Sequence, residues 1–343
     1  MSKIIIYGRG EFWKNHRQEV EATYEIISFL DTFYQGEYEN YFCEKVSEHT
    51  ENKDADLYLI MSSNYRIMFE MLHQLLKVGI NSEKIKLGYF YYGAGRRCFE
   101  NADIQKNGSL RVCARGIELV VSDAVELESV YETIVCKAYE FCLNNKKDSI
   151  VLDVGANIGD STLYFLQRND IRKVYAYEPF KETYDKAKDN LKDYLDTSRL
   201  QLNNFGLSNV NESRTLSISS GMSIGLSTDC EALKKNEQLL CIDGTNQTET
   251  MVIVKNAAEE ISPIIAENAG YYDIILKMDC EGEEFVIMEE LDKTDLLKEV
   301  DLIMLEWHYR DEKEIVDILI KNHFKYVLQR KSIDLGLIWA WRS

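Results

Sequence analysis

The sequence predicts an α/β fold: a doubly wound, mostly parallel sheet ending in an antiparallel terminal hairpin, preceded by a smaller α/β domain. Three observations predict it. Strand-like and helix-like segments alternate through the second half, which places helices on both faces of a parallel sheet. Residues 151–162, Val-Leu-Asp-Val-Gly-Ala-Asn-Ile-Gly-Asp-Ser-Thr, read as a strand end, a glycine loop and a helix start. The N-terminus repeats that plan with Lys3-Ile4-Ile5-Ile6-Tyr7, then Gly8-Arg9-Gly10, then a helical stretch from Glu11 to Ala22.

In order along the chain, residues 1–90 form the smaller domain. Its strands are expected at 3–7, 24–30 (ending at Asp31), 56–61 and 85–88, with an amphipathic helix from Ile67 to Val78. Gly8, Gly10 and Asp31 suggest a dinucleotide site, but Trp13 stands where the third glycine would allow close helix–strand packing. The preferred reading is a degenerate module without a working cofactor site, structural or open to homo-oligomerisation. Residues 91–148 form a bridge. It holds a hairpin (110–114 and 117–121, turning at Arg115-Gly116) and a helix from Val130 to Leu143.

Residues 149–343 form the main domain. Strands are expected at 150–154, 174–178, 199–204, 273–279 and 301–306, with an edge hairpin of 325–328 and 335–340. Between the third and fourth lies a long excursion, 209–272, with a strand at 214–218 and a polar stretch at 236–250. Insertions of that length often form lids. The small-residue loop Gly221–Thr228 is the candidate for closing over a ligand.

Bulk properties narrow the function. With 343 residues and 45% hydrophobic content, two ordinary domains can build real cores. A net charge of −18 repels phosphate backbones and disfavours nucleic acid as a partner. The start runs straight into a strand, without a signal-peptide pattern, and no apolar run is long enough to span a bilayer. A cytoplasmic location without membrane partners is expected. The eight cysteines contain no C-x-x-C pair, so neither a disulfide framework nor a zinc site is indicated.

The loop at 153–159 with Glu178 describes an adenosine cradle. A helix N-terminus favours an anion, and a carboxylate after the next strand can accept hydrogen bonds from both ribose hydroxyls. Those residues leave open which adenosine cofactor binds.

Four motifs in order, Asp153-Val-Gly155-Ala-Asn157-Ile-Gly159, Tyr177-Glu178-Pro179, Asn204-Phe-Gly206-Leu-Ser208 and Leu276-Lys-Met-Asp279-Cys-Glu281-Gly-Glu-Glu284, resemble the FkbM family. Leu305-Glu306-Trp307-His308 fits the strand that follows, and the resemblance covers roughly 108–330. It implies the class I methyltransferase fold, a Rossmann-like doubly wound sheet, with S-adenosyl-L-methionine as methyl donor. It also implies O-methylation, here of a saccharide or small-metabolite hydroxyl. Asp153, Gly155 and Gly159 would shape the loop under the methionine moiety, with Asn157 and Ser161 beside them. Glu178 would hold the ribose, Phe180 would cover one adenine face, and Asn204 and Phe205 would lie across the base. Asp279 would border the cofactor. The alternatives are an NAD(P)-dependent oxidoreductase and a non-catalytic cofactor-binding scaffold.

Ligands of open α/β sheets bind beyond the carboxyl ends of the strands. Asp279 and Glu281, then Glu306 and His308, stand at those ends, and i, i+2 spacing puts each pair on one face if the strands extend that far. His308 has the ordinary pKa suited to a general base, and Asp279 is the alternative base or an anchor for the acceptor. Glu281 completes the catalytic set. The same residue types can bind a divalent metal. A metal-free site is preferred, because acids at strand ends often bind only helix N-termini and water. Lys277 is expected in an ion pair.

Overall fold

The computed structural model describes residues 1–141, 148–219, 226–229, 232–234 and 247–342. They form two compact units, Met1–Cys136 and Lys137–Ser343. The fold class is the one expected, mixed α/β with parallel-dominated sheets.

The first unit contains β1 (Ser2–Tyr7), β2 (Tyr24–Asp31), β3 (Gly36–Tyr38), β4 (Tyr41–Lys45), β5 (Leu57–Ile60) and β6 (Ile85–Leu87), in the spatial order β3-β4-β2-β1-β5-β6. Within this sheet only β3 and β4 pair antiparallel. Trp13, on the helix Glu11–Glu21, is fully buried beside Ile4, Ile6 and Phe29. Its ring meets Phe29 edge-on at 5.4 Å. The tryptophan therefore fills the helix–sheet space that a third glycine would have narrowed.

A second, antiparallel sheet joins β7 (Asn101–Ile104), β8 (Leu110–Ala114) and β9 (Ile117–Val121). Its β8–β9 turn has Arg115 and Gly116 at φ +52° and +73°, the left-handed pair that two-residue hairpins need. The helix expected over 130–143 is placed earlier. It runs Ala124–Val130, started by Asp123, whose side chain accepts from the Val125 and Glu126 amides, and passes into a π-helical turn, Tyr131–Val135. The strong N-cap at Asp123 decides the start.

The second unit is built on β10 (Ser149–Val154), β11 (Ile171–Tyr177), β12 (Leu200–Asn203), β16 (Asp273–Met278), β17 (Leu302–His308), β18 (Lys325–Arg330) and β19 (Leu335–Trp341). Their order is β12-β11-β10-β16-β17-β19-β18. Pairing is parallel from β12 to β17, and β19 runs antiparallel to both β17 and β18. Every residue of β10 and β16 is buried, which explains the apolar runs Ile150–Leu152 and Ile274–Leu276: a sheet covered on both faces has no polar side, and the charged Asp153 and Lys277 are there only as a pair. Leu152, Val154, Leu276, Met278, Ile303 and Trp307 form the centre of the core, with Phe285, Met288 and Leu291 from the helix Glu284–Lys293.

The chain moves outward from β10 through β11 to β12, then crosses back to β16. That reversal opens a switch point between β10 and β16, where such sheets bind ligands. The excursion between β12 and β16 supplies β13 (Gly206–Ser208), β14 (Glu212–Ser219) and β15 (Gln247–Asn256), a separate sheet ordered β13-β15-β14. β15 takes in the end of the polar stretch, whose residues lie on an exposed strand paired with β14. Of the loop Gly221–Thr228, residues 221–225 lie outside the described residues, while Ser227 and Thr228 are buried.

At the switch point the two crossing loops touch. Gly155 has φ +78°, and a Cβ built on it would stand 1.8 Å from the Asp279 carbonyl oxygen. Both the left-handed backbone and the contact exclude any side chain. Gly155→Ala is expected to cost about 3 kcal/mol, the sum of a left-handed penalty and overpacking. Urea unfolding measures it. An unchanged midpoint would show that the loops do not meet in solution.

Candidate active site

The loop after β10 is fixed from below by a buried ion pair. Lys277 Nζ lies 3.0 Å from Asp153 Oδ1, with the two side chains 2% and 0% exposed. The same ammonium donates to the Gly155 carbonyl at 2.7 Å. Asp153 Oδ2 accepts from the Ser161 and Thr162 hydroxyls at 2.8 and 2.6 Å, which ties the first turn of the helix Asp160–Leu166 to β10. Burial alone would lower the Lys277 pKa, but the charges of Asp153 and Asp279 carry it above the ordinary value.

Glu178, directly after β11, is buried at the rim of this loop. Its Oε2 accepts from the Asn157 amide at 3.0 Å and its Oε1 from the Phe180 amide at 2.9 Å. Asn157 reaches that position in a left-handed conformation, φ +49°. Burial pushes the Glu178 carboxyl up to about 8, against the opposing effect of those two amides. Each oxygen keeps a second lone pair for a ligand hydroxyl.

The ends of β16 and β17 carry the second half of the site. β16 stops at Met278, so the pleat does not place Asp279 and Glu281 together. A turn does, with Glu281 at φ +55° and Gly282 at +110°. This corrects the expectation of strand geometry there, whereas Glu306 and His308 do lie within β17. His308 is almost enclosed. Its Nδ1 is 2.6 Å from Glu284 Oε1, and its Nε2 lies 3.8 Å from Asp279 Oδ1 and 3.7 Å from Glu281 Oε2. The Tyr139 hydroxyl donates to Asp279 Oδ2 at 3.1 Å, and the Tyr309 hydroxyl donates to Glu281.

These neighbours change what the histidine can do. Burial disfavours its charged form, but Glu281, Glu284 and Asp279 outweigh that and hold its pKa well above the usual value. These carboxylates favour the imidazolium, so His308 is held away from the neutral form that its ordinary pKa would offer as a base. Burial, with the charge of Asp279 next, raises Glu306 to about 7, and its Oε1 accepts from Lys331 at 3.0 Å.

Other expected residues take more structural parts. Ser161 spends its hydroxyl on Asp153. The Phe180 ring packs into an apolar cluster with Leu216, Leu233 and Val252, because β14 and β15 present their apolar side to it. The Asn204 amide donates to the Glu178 and Pro179 carbonyls at 3.0 and 3.3 Å, shaping the rim from behind. Phe205 stands 5.6 Å from the Tyr177 ring, with Lys255 Nζ 3.9 Å over its face. Gly159, at φ +87°, is the N-cap of Asp160–Leu166. Sequence reasoning missed Tyr139, Glu284 and Tyr309 as site residues. Glu284 closes one quoted motif and Tyr309 directly follows another, while nothing in the sequence links Tyr139 to Asp279.

In the first unit, Asp31 does not present a free carboxylate. Arg9 Nε lies 2.9 Å from its Oδ2, and the Phe33 and Tyr34 amides donate to its Oδ1. The guanidinium also stacks 4.0 Å over the Tyr34 ring. The position expected for a ribose is taken up by the protein itself.

The model of the methyltransferase FkbM domain matches residues 153–328, just over half of the chain. No curated protein matches. Among solved structures, the methyltransferase FkbM from Methylobacillus flagellatus KT is 12% identical, with 99% of this chain and 90% of that one covered and a TM-score of 0.38. The Streptococcus pneumoniae protein Sp1610, a putative tRNA (m1A22) methyltransferase in complex with S-adenosyl-L-methionine, is 14% identical, over 64% and 73% of the chains, TM-score 0.32. TYW2 of M. jannaschii, in complex with AdoMet, is 12% identical, over 68% and 87%, TM-score 0.34.

The buried pair yields a test of its own. Lys277→Met leaves Asp153 charged and buried without its cation, at an expected cost of about 3–5 kcal/mol. Asp153→Asn in the same chain removes that orphaned charge and is expected to recover much of the loss. Chemical denaturation of the two single variants and the double variant measures the coupling, and simple additivity would refute it.

Proposed function

Because this chain belongs to the FkbM methyltransferase family, we propose that it transfers a methyl group from S-adenosyl-L-methionine to a hydroxyl of a saccharide or other small metabolite. The observation that carries the cofactor assignment is the cradle at the switch point. Gly155 and Gly159 turn the loop in left-handed conformations against Asp279 and Leu191, the helix start at Asp160 would offer amides to the ligand's carboxylate, and Glu178 would take its ribose. Asp279 lies against Gly155, so the acidic pocket adjoins the reacting end of the donor.

In the reaction, an acceptor oxygen attacks the methyl carbon in line with the breaking S–C bond, leaving S-adenosylhomocysteine. The hydroxyl proton leaves to a carboxylate oxygen of the pocket. Asp279, Glu281 and His308 hold the hydroxyl, and positioning supplies much of the rate. An oxygen acceptor is favoured because carboxylates gather where the proton must go. A net charge of −18 suits a neutral acceptor better than a polyanion.

Titration calorimetry with S-adenosylhomocysteine tests the cofactor. A folded wild-type chain that binds none overturns the reading. Measured above pH 8, where the carboxylate is ionised, Glu178→Ala is expected to weaken binding at least tenfold, the value of about one charge-assisted hydrogen bond.

A pH series gives a second check. The Glu178 carboxyl sits at about 8 in the free protein, above the ordinary 4.5, so below pH 8 it is mostly protonated. Ribose hydroxyls donate best to the ionised form. Affinity is therefore expected to rise by up to about tenfold per unit as pH approaches 8, then level off. A profile flat from pH 6 to 9 would contradict it.

A further inference from the structure

The geometry points to a divalent-cation site of the Mn²⁺ class, formed by Asp279, Glu281 and His308 Nε2, that holds the acceptor hydroxyl beside the methyl donor. Its use for an acceptor rests on the methyltransferase reading; the site itself does not. One donor atom from each of the three residues lies within 4.8 Å of the other two. Nε2 stands 3.7 and 3.8 Å from the two carboxylate oxygens. Those separations are too long for hydrogen bonds. Two donors each about 2.1 Å from one ion can be at most about 4.2 Å apart, so the imidazole can share a cation with either carboxylate as placed, and the carboxylate pair, within 4.8 Å, need close by no more than about 0.6 Å.

The second observation is the histidine itself. Its side chain is only 9% exposed, and its Nε2 has no hydrogen-bond partner among the described residues. That atom faces into the gap between the two carboxylates. The other ring nitrogen is gripped by the fully buried Glu284, whose second oxygen accepts from the Gly282 amide at 2.7 Å. A carboxylate behind a ligating imidazole fixes which nitrogen faces the metal. Glu284 is thus a positioning residue, built into the turn that also delivers Glu281. The Tyr139 hydroxyl engages Asp279 Oδ2, which leaves Oδ1 toward the gap. One imidazole with two carboxylates suits Mn²⁺ better than Mg²⁺, which prefers all-oxygen sites, or than structural Zn²⁺, which prefers thiolates.

A bound cation would take the acceptor oxygen as a further ligand and make its O–H more acidic. The proton then leaves to a pocket carboxylate outside the triad. Glu306, on the same face of β17 as His308 and within electrostatic reach of Asp279, is the carboxylate assigned that part.

The test uses the full chain, stripped with chelator and titrated with Mn²⁺ alone under electron paramagnetic resonance. One Mn²⁺ per chain is expected, with pulsed spectra showing nitrogen coupling from one imidazole. His308→Gln abolishes that coupling, and Asp279→Asn weakens binding at least about tenfold. Glu284→Gln is expected to weaken it about ten- to a hundredfold while the nitrogen coupling persists. Far-ultraviolet circular dichroism and the thermal midpoint, measured on the same samples, report whether each variant keeps its fold, and S-adenosylhomocysteine binding is measured beside them on the wild type. Wild type that binds S-adenosylhomocysteine but no Mn²⁺ below millimolar concentration overturns the cation site and leaves the methyltransferase reading intact. Mn²⁺ binding without nitrogen coupling also overturns it. Mn²⁺ binding with nitrogen coupling but no S-adenosylhomocysteine binding supports the site and sinks the cofactor reading instead.

Discussion

Gly155 and Asp279 touch backbone to backbone, and the site depends on that contact. A methyl group on Gly155 would fall 1.8 Å from the Asp279 carbonyl, so the loops after β10 and β16 have no spare distance between them. Lys277 holds the arrangement from below, bonding the Gly155 carbonyl while pairing with Asp153. Asp153 in turn anchors the helix start through Ser161 and Thr162. Cofactor cradle and acidic pocket are therefore one rigid body. Moving either by an ångström would break a buried ion pair, which costs more than most surface rearrangements.

The segment from Asp279 to Glu284 divides its acids among separate tasks. Asp279 and Glu281 face the pocket. Glu284 orients His308. Glu283, also buried, accepts from Ser208, Thr228 and Arg214, and so ties the small β13-β15-β14 sheet to the same turn. A run of four carboxylates in six residues looks like a solvated face, yet each has a specific partner here. The turn can do this because Glu281 and Gly282 adopt left-handed conformations that send successive side chains in divergent directions.

The two glycine-loop units in this chain differ at the positions a ligand would use. In the first unit Trp13 fills the helix–sheet space, and Arg9 occupies Asp31. In the second, glycine stands where the loops meet, and among the described residues Glu178 is engaged only by amides, which leave lone pairs over.

Much of this was legible in the sequence because it follows from local rules. Alternating segments announced the parallel sheet, and Gly155, Gly159 and Glu178 announced the cradle, since turn chemistry and strand ends are set by neighbours along the chain. The sequence also brought Asp279, Glu281, Glu306 and His308 into one list. The tertiary structure alone decided what each does. Phe180 and Ser161 turned inward because β14, β15 and Asp153 came to meet them. Tyr139 joined Asp279 across 140 residues, a pairing no local pattern encodes. Most of all, the protonation of His308 depends on three carboxylates converging on it in a nearly closed space. An ordinary pKa belongs to a residue in water, and only the fold determines how far from water, and how near to charge, that residue is held.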